Sequence, residues 1–280
     1  MRVYTAKVPD RAAEKTLENY LAHAMPLIPP HVLRDAFARR DVKVNGQRAG
    51  ARDTLTPGAL VQVYTPWDAA LPVVYEDGQI LILHKPAGIS CEDDGRGGMT
   101  VRNLLEGRPD RPQLCHRLDN QTSGLLVAAK TAEAAACLDD AFRTRGLTKR
   151  YECIVKGRPN PDAMTAEAFI IQDPRLGRMR VVTHGSPEAK KIITAYETLR
   201  TDGKTSRLLI TLLTGRTHQI RAHMAALQHP LLGDDLYGDR AFNQQCGVRR
   251  LMLCATEITF SAGGVLGYLD GRTFHIDPPF

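Results

Sequence analysis

The sequence predicts an α+β protein, a small α/β unit followed by a larger, strand-rich one. Three observations carry that expectation. Composition changes near residue 66. Ahead of that point, two short segments with apolar residues at helical spacing precede a turn-bounded hairpin pattern. Beyond it, short apolar runs bounded by Gly, Pro and Asp outnumber helical stretches, which is the signal of strands. The expected divisions are 1–66 for the small unit, 67–72 for a linker and 73–280 for the larger unit.

In chain order, Ala12 to His23 sets Leu17 and Leu21 at helical spacing, and His31 to Arg40 gathers Val32, Leu33, Ala36 and Phe37 on one side. Pro29-Pro30 separates the two. Val42-Lys43-Val44 alternates as a strand, Asn45-Gly46 supplies a type I′ turn, and Leu60 to Tyr64 closes the sheet. Pro66 to Pro72 reads as the linker. In the larger unit, Val73 to Glu76 and Gln79 to His84 flank Asp77-Gly78 as a hairpin. Lys85-Pro86-Ala87-Gly88 ends that strand. Glycine-rich Asp94 to Gly98 reads as a mobile loop and lacks the G-x-x-x-x-G-K-[ST] spacing of a phosphate cradle. Leu125 to Ala129 is a strand-like run. Ala132 to Arg145 is expected as a helix with Leu138 and Phe142 on one face and Gly146 as its cap. Strands follow at Tyr151 to Val155, Thr165 to Ile171, Arg178 to Thr183, Lys190 to Leu199 and Arg207 to Leu213. A helix is expected over Thr217 to Leu227, just after Gly215.

The bulk properties narrow the function classes. With 280 residues, 43% hydrophobic and 24% charged, the chain is an ordinary globular protein rather than a disordered one. A net charge of +6 favours a polyanionic partner without establishing one. The opening MRVYTAKVPDRAAEK lacks the apolar core of a signal peptide, and no run approaches the ~18 apolar residues of a membrane span. The six cysteines, Cys91, Cys115, Cys137, Cys153, Cys246 and Cys254, form no C-x-x-C pair and read as free thiols in a reducing cytoplasm. A cytoplasmic monomer without structural zinc is the expectation.

Three stretches can carry chemistry. HRLDNQTSG, His116 to Gly124, places Asp119 among an Arg, a His and hydroxyls just before an apolar run. That suits covalent or acid/base work on a polar substrate, though a lone Asp more often caps a turn. Lys149-Arg150-Tyr151 lies at the mouth of a strand, where a Tyr is more often half-buried packing. GRTHQIRAH, Gly215 to His223, sets His218 and Arg221 three apart on a helix and so on one face, while His218 and His223 have the wrong spacing for zinc. In the first unit, Arg39, Arg40 and Lys43 belong to an Arg-dense helix end and loop that suits phosphate, or forms a solvated face.

Taken together, these stretches closely resemble the RluA-type family of RNA pseudouridine synthases. The family's H-R-L-D-x-x-T-S-G is met at His116 to Gly124, its K-x-Y at Lys149 to Tyr151 and its G-R-T-H-Q-I-R-x-H at Gly215 to His223. Its K-P-x-G stands at Lys85 to Gly88 and its P-L-L-G-D-x-x-Y-G at Pro230 to Gly238, all in family order. One departure is Leu253-Cys254-Ala255, where the family usually has Leu-His-Ala. The first unit, through RDVKVNG (Arg40 to Gly46) and the strand from Gly58, resembles the small RNA-binding module of ribosomal small-subunit protein four. It departs from that module at Glu14 to Leu17, Pro30-His31 and Gly58-Ala59.

The resemblance implies an α+β catalytic domain built on a mixed, largely antiparallel sheet flanked by helices and loops, preceded by a small RNA-binding-like domain. It implies isomerisation of uridine to pseudouridine in RNA. That reaction adds no atoms and so needs no cofactor. By resemblance the catalytic set is Asp119, Tyr151 and Arg221. Asp119 attacks or stabilises the sugar carbon, Arg221 offsets the cost of closing a site over its charge, and Tyr151 stacks on the uracil more credibly than it acts as a base. A stacked uridine must be flipped out. Arg117 is the candidate to fill the vacated space or hold a phosphate, Leu118 and Ile220 form an apolar wall, and His116 joins the RNA-contacting group. Large-subunit ribosomal RNA is favoured as substrate over transfer RNA, on the strength of the appended module. A catalytically silent RNA-binding or ribosome-assembly protein is the reading from another class, and the presence of all three catalytic residues weighs against it.

Overall fold

The computed structural model describes residues 1–280 apart from 13–15 and 96, and apart from the side chain of Arg11. The first unit holds strand β1 (Arg2–Lys7), helices α1 (Leu17–Ala24) and α2 (Pro30–Ala38), and strands β2 (Val42–Val44), β3 (Gln47–Arg48) and β4 (Leu60–Thr65). The expected start of α1 at Ala12, and the departure at Glu14, fall partly outside the described residues. Thr16 caps α1 by accepting the Asn19 amide, and Leu17, Tyr20, Leu21 and Ala24 form its buried face. Pro30 opens α2, where a missing N–H costs nothing. Asn45 and Gly46 both have positive φ, at 49° and 82°, as a type I′ turn requires. The sheet order is β1-β4-β2-β3. Strand β1 pairs with β4 along its whole length, a partner that the exposed, unpatterned RVYTAK does not announce.

The larger unit continues with β5 (Val73–Glu76), β6 (Ile80–Lys85), α3 (Val101–Glu106), β7 (Gln113–Leu114), β8 (Ser123–Ala129), α4 (Ala132–Thr144) and β9 (Leu147–Lys156). Then come β10 (Ala163–Asp173), β11 (Arg178–Val182), β12 (Lys190–Thr201), β13 (Thr205–Leu212), α5 (Gln219–Ala226), α6 (Arg240–Gln245), β14 (Leu253–Phe260) and β15 (Thr273–His275). Among the described residues they build one mixed sheet of order β11-β10-β12-β13-β9-β14-β8-β6-β5, with β7 beside β8 and β15 beside β14. Every pairing is antiparallel except β14 with β8.

That parallel seam sits where HRLDNQTSG enters the sheet. Ser123 faces Cys254 and Gly124 faces Ala255. Gly124 has φ +127°, and a Cβ there would collide with the backbone N and O of Ala255. Only glycine serves both the conformation and the close approach. Cys254, at the position where the family pattern has His, is fully buried in this seam.

Period-two alternation loads both faces of the sheet. Ile80, Ile82, Leu125 and Val127 face α4 and the 3₁₀ turn Gly264–Leu269, packing with Leu138, Phe260 and Leu266. Leu81, Leu83, Leu126 and Ala128 face the other way, with Tyr151, Cys153 and Val155 of β9. This second core runs without a break into Leu17, Leu21, Val61 and Val63 of the first unit.

Three expectations meet local contacts that the sequence does not show. The glycine-rich loop is not free at its end: Gly97 O accepts the Lys7 amide at 3.0 Å and the Tyr20 hydroxyl at 3.3 Å, and Met99 N–H donates to Ala24 O at 2.7 Å. The end of α4 is shaped by Arg145, which takes the left-handed conformation at φ 65°, and not by Gly146. Gly146 is needed for another reason, because a Cβ would strike Ser261 O. Residues 67–72, read as a linker, are fastened to the first unit. Trp67 Nε1–H donates to Leu27 O at 3.0 Å, and the Ala69 amide donates to the Tyr4 hydroxyl at 2.8 Å.

Candidate active site

Strands β9, β13 and β14, the 117–122 loop and the turn into α5 line a cleft of about 110 Å³. Asp119, Tyr151, Arg221, Arg117, Leu118 and Ile220 all line it. Residues far apart in sequence thus meet because two loops converge on adjacent strand ends. A wider cavity of about 560 Å³, floored by Ile170 and Met179, opens on the other side of Gly215-Arg216-Thr217.

The loop bearing Asp119 is held on both sides of the carboxylate. Leu118 N–H donates to Cys91 Sγ at 3.3 Å. Asn120 O accepts the Gly88 amide at 2.8 Å and Lys85 Nζ at 3.1 Å. Lys85 is fully buried and also donates to Pro86 O and Ile89 O. Burial lowers its ammonium to about 8, against the opposing pull of Cys91 and Asp119. The K-P-x-G element is therefore the clamp of the Asp119 loop.

The turn into α5 is welded to β12 by one amide. Gln219 Nε2 donates to Ile193 O and Thr194 Oγ1, while its Oε1 accepts the Thr214 hydroxyl and the Arg216 amide. All of its hydrogen-bonding capacity is used. His218 lies before the helix, not on it, in the left-handed conformation at φ 55°. The shared helical face expected for His218 and Arg221 is thus replaced by a kinked turn, which nonetheless brings both to Asp119. His218 Nε2 and Arg221 Nη1 each lie 3.9 Å from Asp119 Oδ2.

Arg221 has a closer partner that the sequence did not disclose. Its Nε and Nη2 form a fork on Asp234 at 2.7 and 2.8 Å, and Asp234 also accepts the Leu236 and Tyr237 amides. Burial opposes the charge on Asp234, but Arg221 and the two amides together hold its carboxyl below the usual range. Arg221 is likewise driven to stay charged, against its own burial. Asp234 thus fixes Arg221, and the remaining nitrogen faces Asp119. Asp234 belongs to the P-L-L-G-D element, which was the available signal.

Lys149 and Tyr151 both line the cleft, as alternation along β9 dictates; the pair sits inside the strand rather than at its mouth. Burial, and then the charge of Asp119, raise the Tyr151 hydroxyl far above its ordinary value, which favours a neutral ring for stacking over a base. The Thr122 hydroxyl also lines the cleft, buried and without a hydrogen-bond partner among the described residues.

Two groups of expected site residues lie elsewhere. His116 is turned away from the cleft: its Nε2 accepts the Val127 amide at 3.0 Å and its ring packs 5.0 Å from that of Phe142. Burial lowers the imidazole to about 3, so it is a neutral structural group. Arg39, Arg40 and Lys43 stand on the first unit, outside the cleft lining. Arg39 reaches Asp35 at 3.7 Å, Arg40 has φ 61°, and Lys43 Nζ lies 4.9 Å from the centre of the Tyr64 ring. Among the described residues no group of three His, Cys, Asp or Glu side chains could hold a metal, and no helix is long and apolar enough to cross a membrane.

Known proteins share this architecture. Residues 79–226 match the family model described as RNA pseudouridylate synthase. An uncharacterized RNA pseudouridine synthase of Mycobacterium bovis is 33% identical over 98% of this chain and 93% of its own length. Ribosomal large subunit pseudouridine synthase C of Vibrio cholerae is 30% identical over 90% of this chain and 87% of its own. Synthase D of Xanthomonas campestris pv. campestris is 34% identical over 83% and 74%. The solved structure of human RNA pseudouridylate synthase domain containing 1 superposes with a TM-score of 0.62 at 26% identity, covering 75% of this chain and 84% of that one. With sequence and fold in agreement, the chain belongs to the RNA pseudouridylate synthase family, isomerases that convert uridine in RNA to pseudouridine.

Proposed function

We propose that the protein isomerises specific uridines of large-subunit ribosomal RNA in the cytoplasm, with Asp119 as the attacking carboxylate. The observation that carries the chemistry is the convergence of Arg221 and His218 on Asp119 Oδ2, beside the buried ring of Tyr151. In this reading the target uridine leaves its stack and enters the cleft against Tyr151. A carboxylate oxygen of Asp119 attacks ribose C1′, and the N1–C1′ bond breaks with its electron pair passing to the uracil. The uracil turns, its C5 rejoins C1′ and the carboxylate leaves. The C5 proton is then lost and N1 takes one up. Arg117, exposed at the rim, fills the vacated stack or holds a flanking phosphate. Arg39, Arg40 and Lys43 extend the phosphate-binding surface onto the first unit. The names of relatives that cover most of the chain support ribosomal RNA as substrate.

The test is Asp119→Asn, assayed by tritium release from RNA labelled at uracil C5. Release is expected to vanish while RNA binding survives; undiminished release would overturn the mechanism. Mapping pseudouridines in total RNA with and without the gene identifies the substrate. Lost sites confined to transfer RNA would replace the ribosomal assignment.

A further inference from the structure

We propose that His218 is a positioning residue for Asp119, fixed by Tyr237 as the neutral tautomer that turns Nε2–H toward Oδ2 of the carboxylate. The proposal rests on the reading of Asp119 as the attacking group, and it gives that group an orientation.

The tautomer follows from counting protons. The Tyr237 hydroxyl oxygen accepts the Met179 amide at 2.8 Å. Its own single proton then requires an acceptor, and His218 Nδ1 lies 3.0 Å away. Nδ1 accepts only when it carries no proton, which leaves the imidazole proton on Nε2. The opposite tautomer would aim two N–H groups at one phenol and leave the phenol proton without an acceptor among the described residues. Charge agrees with this assignment. Burial lowers the His218 pKa, Asp119 and Asp234 oppose that shift, and Arg221 and Arg117 reinforce it, so the ring stays neutral at neutral pH.

The Nε2 proton faces Asp119 across 3.9 Å, longer than a hydrogen bond. Such contacts shorten when substrate orders a site. Arg221 Nη1 approaches the same Oδ2 at 3.9 Å, whereas Oδ1 carries no hydrogen bond among the described residues. Two donors on one oxygen leave the other to meet the sugar carbon, so His218 selects which oxygen reacts. The left-handed backbone at His218, a strained conformation for a residue with a side chain, is what aims the ring, and Gln219 holds the turn that imposes it.

Nitrogen-15 labelling of the histidines, read by long-range proton–nitrogen correlation, tests the tautomer. One signal, absent in His218→Gln, is expected with bare Nδ1 and protonated Nε2, and it should move toward a tautomer mixture in Tyr237→Phe. Single-turnover tritium release is measured on total RNA from cells lacking the gene, labelled at uracil C5. His218→Ala should slow release about 10²-fold with RNA affinity within about twofold. His218→Gln, which restores an N–H donor, should recover part of the rate. Protonated Nδ1 in the wild type, or an unslowed His218→Ala, overturns the proposal. If His218→Ala does not fold, Tyr237→Phe decides, because an unchanged tautomer and rate there also overturn it. Undiminished release from Asp119→Asn would instead bring down the reading beneath it.

Discussion

Arg221 and Arg39 are the same residue type beside an acidic partner, yet they sit in opposite physical regimes. Arg221 is buried, forked on a carboxylate with no exposure of its own, and its ring partner Tyr237 lies 5.3 Å away. Arg39 is more than half exposed and meets Asp35 at 3.7 Å. In the cleft, geometry is fixed and each charge is expensive to orphan. On the first unit, the Arg39–Asp35 pair is solvated and screened, and its geometry is loosely held. The difference teaches that an arginine beside a carboxylate is a fixed partner in one place and a solvated charge in the other, and that burial decides which.

The largest expected effect breaks the buried side of this comparison. Asp234→Ala should leave Arg221 buried without its fork and cost about 3–5 kcal/mol in denaturant unfolding, with activity lost as well. A cost under about 1 kcal/mol would mean that the pair is solvated after all, and the contrast with Arg39 would fall.

A smaller effect concerns the half-buried, neutral ring of His116. Its pKa is about 3 in the folded chain against 6.5 as a free side chain, so between those values the unfolded state binds a proton that the folded state does not. Stability from this group is full above about pH 6.5 and is lost as pH falls toward 3, at up to about 1.4 kcal/mol per unit. His116→Gln keeps an acceptor for the Val127 amide but not the titration. Urea midpoints measured from pH 7 to pH 4 should fall less steeply for the variant than for the wild type; parallel slopes would contradict the assignment.

The smallest effect belongs to the exposed side. Arg39→Ala with Arg40→Ala should change stability by no more than about 0.5 kcal/mol. If both contact phosphate, the slope of log affinity against log salt should flatten by about 1–2. An unchanged slope in filter binding would make that surface a solvated face and nothing more.

Much of the site could be read in the chain because the informative residues cluster in short motifs. Asp119, Tyr151 and Arg221 each sit in such a motif, and the sheet brings the three together. What the sequence hid were relations across space. Asp234 is thirteen residues from Arg221 and shares no periodicity with it, so only the fold reveals the fork. His116 misled because neighbouring residues of an extended loop point opposite ways: Arg117 reaches the cleft and His116 faces Phe142. Strand β1 was invisible because its edge position buries almost none of its side chains. The six-residue helices α3 and α6 are too short to show a period.

The unbroken core beneath the first unit has a consequence for modularity. Leu17, Leu21 and Val61 belong to the same apolar cluster as Leu81, Ile89 and Leu126, and Gly97 and Met99 of the larger unit are stitched to Lys7, Tyr20 and Ala24. A chain trimmed to 73–280 would display a raw apolar face, and a transplanted first unit would carry half a core into an unfitted host. Like a graft that has healed, the two parts share one core, and a single cooperative unfolding transition is expected of them.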